Sequence, residues 1–437
     1  MGATLTRRRL LAGAAGAAAA AALGGCGTDD PNTLVVMGNN PAEVTDQDVA
    51  EFVHAHPGVT VKFVAVDQSL LTAMFAAGNP PDLVRDQGVN NTPYLVARDL
   101  AENLDPYFAR STALSVDKLA PANDVWRYDG SRQGSGPRYG LVKDYSQDAM
   151  FWCNTTVFDA AGVDLPSTTE PIDYDEWLDL ARRLTKRNGA QYRTYGLVPP
   201  FDNSLSAGFI NMVSSAGGSI FSEDFSTVDF SSPEAAAALR WYLTYAADQV
   251  GSTVARPLPA GSSPTFSADQ LAMLGYGYWF SGLVSADDTL AKDVMFFPAP
   301  RFGPKRTSPC LAGTGFWIPK RAKHKDLAWA FCEHYFGGPP ATRRAQSGWG
   351  LPGITSLLSD LPSDKPYQRQ ALGVQKTELD HFSVLDFSPY VAYTALDASL
   401  SQQLRKGIEA GLPAGKVADL INDTLNPLLK LGKELVS

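Results

Sequence analysis

Close to its start the chain alternates between three short apolar runs and two stretches of helical periodicity, and that alternation leaves few folds open to it. Thr33-Leu34-Val35-Val36-Met37 is a continuous apolar run of the buried-strand type, and Gly38-Asn39-Asn40-Pro41 follows it as a turn. Thr45, with Asp48 three residues on, resembles a capping box; Val49, Phe52 and Val53 then share one face until Pro57-Gly58 ends the helix. Val59 to Val66 alternates as a strand, Leu70, Leu71, Met74 and Phe75 mark a second helical face, and Asn79-Pro80-Pro81 leads into Asp82-Leu83-Val84. Strands joined by single helices require right-handed crossovers, so this β-α-β-α-β start predicts a largely parallel sheet with helices on both faces. Loops at the carboxyl ends of such strands converge on a crevice, which sends Asn39, Asn40, Arg85 and Asp86 toward one cleft. Turn chemistry accounts for the two asparagines, and a solvated pair for Arg85 and Asp86, as well as ligand contact does.

Ahead of this region, Arg7-Arg8-Arg9 precedes an apolar segment from Leu10 to about Ala22, which closes on Leu23-Gly24-Gly25-Cys26. A basic start, an apolar segment too short to span a bilayer comfortably, and a small-residue cut site make the layout of a secretory signal. Leu23-Gly24-Gly25-Cys26 resembles the bacterial lipobox, which implies a signal over residues 1–25, lipid on Cys26, and residues 26–32 as a tether to the cell membrane's outer face. Thr6-Arg7-Arg8-Arg9-Leu10-Leu11 resembles the twin-arginine export signature, although ordinary secretion signals also carry adjacent arginines. Removing the signal leaves 412 of the 437 residues, enough for two lobes with separate cores. The signal takes three arginines with it, so the mature part carries 34 basic and 46 acidic residues, a net charge of −12. That balance disfavours nucleic acid, whose phosphates it would repel, and favours a soluble protein.

Beyond Cys26 only Cys153, Cys310 and Cys332 remain, so at most one disulfide forms and one thiol is left over. None sits in a CxxC pair, and the five histidines show no zinc spacing. No metal or cofactor is expected.

Several segments, in order, resemble the extracellular solute-binding proteins of sugar ABC transporters, the maltose-binding-protein-like group. His56-Pro57-Gly58-Val59-Thr60-Val61, Leu70 to Ala77 and Pro81 to Val84 are similar to that family's opening, and Leu100-Ala101-Glu102-Asn103-Leu104-Asp105-Pro106-Tyr107 to the segment that follows. Tyr139-Gly140-Leu141, Trp152-Cys153-Asn154 and Phe158 to Val163 resemble the passage into a second lobe; Asp175-Glu176-Trp177, Tyr195-Gly196-Leu197 and Ala216 to Phe221 continue it. Ala272-Met273-Leu274-Gly275-Tyr276-Gly277-Tyr278-Trp279, Gly313 to Pro319 with the helical run Lys325 to Phe336, and Ser347-Gly348-Trp349-Gly350-Leu351-Pro352 keep step to the end. The resemblance implies a two-lobed α/β fold of the periplasmic-binding-protein type, with three crossings as a hinge and a ligand cleft between the lobes. It places the first lobe at about residues 33–144 and 312–356, and the second at about 145–311 and 357–437. It also implies a monomer that closes over a carbohydrate, mono- or oligosaccharide, and delivers it to membrane permease subunits without catalysis.

A pyranose presents apolar faces and an equator of hydroxyls, so its binder needs aromatic plates and planar polar groups. Trp279, among small residues in Gly-Tyr-Gly-Tyr-Trp, and Trp349, between glycines, are the expected plates; Trp126, Trp241 and Trp329 read as core. Asp144, Gln147 and Asp148 precede the crossing strand, where the family places an acidic hydrogen-bonding residue, and which of the three aligns is open. Gly313 and Thr314, with Gly315, could offer backbone groups to a closely approaching ligand. Arg85 and Lys143 depart from a neutral site: they pair with Asp86 and Asp144, or they recognise an anionic sugar.

A secreted hydrolase is the rival from another class. No Gly-x-Ser-x-Gly or Walker-type loop occurs, and Ser115-Val116-Asp117-Lys118 lacks the S-D-N and K-T-G partners of its S-x-x-K pattern. A glycosidase needs only two carboxylates with no set spacing, so that class stays open, as does a lipid-anchored protein that presents its ligand to a sensor.

Overall fold

The computed structural model describes residues 30–202 and 204–436. Cys26 and the signal read before it lie outside the described residues. The capping box at Thr45 is in place: the Asp48 backbone N–H donates to Thr45 Oγ1 (3.1 Å) and Asp48 Oδ2 accepts from the Thr45 N–H (2.9 Å). It starts the helix Asp46–Ala55, which ends at His56 just before Pro57-Gly58.

The strands are β1 (Thr33–Met37), β2 (Thr60–Val64), β3 (Leu83–Gln87), β4 (Arg127–Tyr128), β5 (Gln133–Arg138), β6 (Gly140–Val142) and β7 (Asp144–Tyr145), followed by β8 (Phe151–Asn154), β9 (Lys186–Asn188), β10 (Gln191–Val198), β11 (Leu271–Leu274), β12 (Val294–Phe297), β13 (Thr314–Trp317) and β14 (Leu351–Pro352). The first lobe is built on a five-stranded sheet in the order β2-β1-β3-β13-β6, the second on one in the order β12-β8-β11-β10-β9.

In the first sheet β1 is parallel to β2 and β3, as the opening alternation predicts, but β13 is antiparallel to both β3 and β6. The largely parallel sheet is therefore a mixed one. The reason is the route of the chain: β13 enters from the other lobe, so its first residue Thr314 pairs with Gln87 at the end of β3 and it runs back the other way. Both faces of this sheet are covered. Leu34, Val36, Leu83 and Phe316 pack with Phe52, Trp329 and Tyr335 on one side, while Met37, Val84 and Trp317 share the other with Leu71 and Met74. A strand buried on both faces reads as an unbroken apolar run, which is why Thr33–Met37 shows no alternation.

Three stretches connect the lobes. The chain leaves the first sheet after β6 and enters the second at β8, returns between β12 and β13, and departs again after β14 toward the helix Pro366–Glu378. That last helix joins the second sheet through Gln370, whose side chain bonds both the N–H (2.9 Å) and the carbonyl (2.7 Å) of Phe296. The first and third crossings form one small ladder, β7 with β14. The terminal helices Tyr393–Glu409 and Ala414–Glu434 cover the second lobe; Asn422 and Asn426 accept from the backbone of Phe230 (2.9 Å) and Val228 (2.7 Å). Cys153, Cys310 and Cys332 are buried free thiols, and Trp126, Trp241 and Trp329 are core residues as expected.

Candidate functional site

A cavity of about 250 Å³ opens between the lobes where the crossings meet the ends of β3 and β6. Its floor is charged. Arg85, near the end of β3, donates from Nε and Nη2 to the two carboxylate oxygens of Glu43 (3.0 and 2.9 Å), a fork-on-carboxylate pair. Glu43 lies in the loop after β1, held there because its N–H donates to the Asn39 carbonyl (2.9 Å). Lys143 follows β6 directly; its ammonium bonds Asp144 and lies 3.7 Å from Glu43 Oε1. Only 4 % of the Lys143 side chain is exposed, so it is a buried cation between two anions. Burial works to raise the Glu43 carboxyl, but Lys143 and Arg85 outweigh it and hold it below the ordinary carboxylate range. Burial likewise opposes the charge on Lys143, and Asp144 and Glu43 more than restore it.

The crossings supply the rest of the wall. Asp148 Oδ2 accepts from the Leu311 N–H (2.9 Å), tying the first crossing to the second, and burial pushes this carboxyl up to about 7. Gly313 and Thr314 line the same cavity. Their carbonyls are already engaged, Thr314 accepting from the Lys143 N–H (2.9 Å) and Gly313 from the Gly88 N–H (3.1 Å) and Trp126 Nε1 (3.2 Å).

The rim is aromatic. Trp279 follows β11, and its N–H donates to Ser146 Oγ (2.7 Å) in the first crossing. Its ring lies 4.8 Å from Tyr276 and 6.2 Å from Trp349, centroid to centroid. Trp349 comes from the first lobe's last segment and is 42 % exposed. Gly282 permits this approach, since a Cβ there would stand 2.5 Å from the Trp349 ring. Gly350, at φ +96°, turns the chain immediately after it into β14.

Of the residues singled out in the sequence, the structure brings Arg85, Asp144, Asp148, Trp279, Gly313, Thr314 and Trp349 to this cavity. It places four elsewhere. Asn40 is an exposed turn residue whose side chain donates to the Val44 carbonyl (2.8 Å) and to Asp46 (3.1 Å), and Asn39 shapes the same turn beside Glu43. Asp86 follows Arg85 on a strand whose side chains alternate, so it points to the opposite face and into a second cavity. Arg85 therefore pairs with Glu43 and not with Asp86. Gln147 is fully buried: its Nε2 donates to the carbonyls of Ser308 (2.8 Å) and Glu378 (2.5 Å), which holds the crossings together.

Glu43, Gln87, Ser146 and Ser204 also line the cavity and were missed. The same topological rule that selects Asn39 and Asn40 covers Glu43, which sits in the same loop after the same strand. Ser204 carried no signal, because it enters from a helix start in the other lobe. Among the described residues no group of histidine, cysteine and carboxylate side chains could hold a metal ion.

Residues 38–337 match a family model described as bacterial extracellular solute-binding protein. No curated protein matches the chain. Among solved structures, it is similar to an ABC substrate-binding protein of Listeria monocytogenes in complex with cycloalternan, at 19 % identity over 90 % of this chain and 97 % of that one, with a TM-score of 0.73. An ABC transporter solute-binding protein of Thermotoga lettingae bound with alpha-D-tagatose shares 18 % identity over 91 % of this chain and all of that one (TM-score 0.70). The sugar-binding protein MalE of Xanthomonas citri shares 16 % over 92 % and 98 % (TM-score 0.69). At these identities the likeness is one of fold.

Proposed function

The chain belongs to the bacterial extracellular solute-binding proteins, and from that premise and the chemistry of its cleft we propose that it captures a carbohydrate between its lobes and delivers it to an ABC transporter permease. The observation that carries the reading is the cavity itself: a polar floor contributed by both lobes and the crossings, with two indoles on its rim. Indole faces suit the C–H faces of a pyranose, and fixed carboxylates accept from its hydroxyls. Similar folds hold cycloalternan and tagatose, which supports a sugar as the ligand class.

Arg85 and Lys143 are occupied by Glu43 and Asp144, which supports a neutral sugar over a phosphate or uronate. Trp279, Trp349, Asp144 and Asp148 are the side chains proposed to touch it, and closure about the three crossings encloses it. The lobes divide at about residues 144/145, 311/312 and 356/357. The protein works as a monomer, without catalysis, held at the outer face of the membrane by lipid on Cys26; no helix among the described residues is long and apolar enough to cross a membrane.

A thermal-shift screen of the mature protein against neutral mono- and oligosaccharides tests the proposal, because a ligand bound only by the folded state raises Tm. At least one sugar is expected to raise it by several degrees. Turnover of that sugar on prolonged incubation would overturn the transport reading in favour of a hydrolase.

A further inference from the structure

The strand that sends Arg85 to the polar cavity sends Asp86 into another one of about 150 Å³, also between the lobes, whose walls are of a different kind. Phe75 and Trp317 form one wall, their rings nearly parallel (9°) with centroids 6.1 Å apart. Tyr94 adds a second surface from the helix Gly88–Ala97, and Tyr393 closes the cavity from the other lobe. The walls are fastened together: the Arg98 guanidinium lies 3.8 Å over the Tyr94 ring and donates to the carbonyls of Pro389 (2.7 Å) and Tyr390 (3.2 Å), just ahead of Tyr393.

Of the polar side chains in this cavity's wall, which include Gln68, Thr72 and Thr394, Asp86 and Asn91 are paired with each other. Asp86 Oδ1 accepts from Asn91 Nδ2 (2.6 Å) and from the Gln87 N–H (2.8 Å), leaving little demand for a ligand's hydroxyls. The cavity opens to solvent at Thr72, and about 150 Å³ is space enough for a benzene ring. The two cavities share no lining residue, but one helix ties their walls together. Tyr393 lines the second, and Asp397, four residues or about 6 Å along the same helix, bonds the Ser204 hydroxyl (3.3 Å) that lines the first.

Resting on the carbohydrate reading above, we infer that the cleft takes a glycoside with an apolar, ring-sized aglycone, the sugar in the polar cavity and the aglycone between Phe75, Trp317, Tyr94 and Tyr393. The ligand is then a conjugate of two dissimilar halves, and each half has its own compartment.

Calorimetry with matched 4-nitrophenyl and methyl glycosides of glucose, galactose, mannose and xylose tests this on the mature chain. For each sugar that binds, the 4-nitrophenyl glycoside is expected to bind at least tenfold more tightly than the methyl glycoside. Thr72→Trp, at the exposed mouth of the second cavity, should bring that ratio close to one, and Tyr393→Ala should lower it at least threefold. A ratio near one in the wild-type protein, or a ratio that survives both substitutions in variants with unchanged Tm, overturns the inference and leaves the sugar reading intact. If no glycoside pair binds although a sugar raises Tm in the thermal-shift screen, the inference falls and the sugar reading stands; if no sugar raises Tm either, the sugar reading itself falls.

Discussion

On the floor of the polar cavity Arg85, Glu43, Lys143 and Asp144 already hold one another, whereas the indoles of Trp279 and Trp349 on its rim touch chiefly each other and neighbouring rings. The floor's charges are paired with one another within the fold, whereas the rim is half-exposed, with Trp349 at 42 %. Ionic groups taken out of water need counter-charges whether or not a ligand is present, so the floor is part of what holds the lobes' geometry. Aromatic faces left at a cavity mouth do little for stability and are free to contribute to binding. Substitutions on the floor should therefore be felt first in folding, and substitutions on the rim first in affinity.

The largest expected effect is on the floor. Lys143→Ala leaves Glu43 and Asp144 partly buried without their shared cation and is expected to cost about 3 kcal/mol of stability, read by chemical denaturation without sugar. A loss within error would break the contrast between floor and rim.

Next comes Asp148, whose carboxyl ionises near 7 in the folded protein and at the ordinary carboxylate value in the unfolded chain. Because the folded pKa is the higher one, the folded state binds more protons, and this group's contribution falls as pH rises from about 4 to about 7. Asp148→Asn keeps an acceptor for the Leu311 N–H and removes the titration. Unfolding free energies of the wild type and the variant should diverge across that window by on the order of 3 kcal/mol, the variant gaining relative to the wild type as pH rises. Parallel curves would show that this carboxyl is not desolvated.

The rim follows. Trp279→Ala should weaken binding of whichever sugar raises Tm by at least about tenfold, or about 1.4 kcal/mol, in titration calorimetry, with the variant still folded. Trp349→Ala, on the more exposed plate, should weaken it about threefold and change stability by less than about 0.5 kcal/mol. If either rim variant loses more stability than affinity, the indoles belong to the hinge and the division between floor and rim dissolves.

Much of this arrangement was readable along the chain. The capping box, the buried run of β1 and the loops at strand ends are local features, and they located Arg85 and its loop without any tertiary knowledge. Trp279 and Trp349 stood out because small residues surround them. What could not be read was the direction of a single side chain or the partner of a charge. Asp86 beside Arg85 looks like its natural partner in sequence, yet alternation along β3 turns the two to opposite faces. Gln147 looks as available as Asp148, yet its amide is engaged by carbonyls 161 and 231 residues away.

The amino-acid sequence alone determined the α/β alternation, a length sufficient for two lobes and, Glu43 apart, the main aromatic and charged residues of the cleft, because periodicity, capping and length act over a few residues or over the chain as a whole. Only the tertiary structure decided that Glu43, 42 residues from Arg85, neutralises it, that the crossings close around Gln147, and that one strand serves two cavities of opposite character. Electrostatic pairing depends on distances of a few ångströms in space, and those distances are set by how three crossings bring remote segments together.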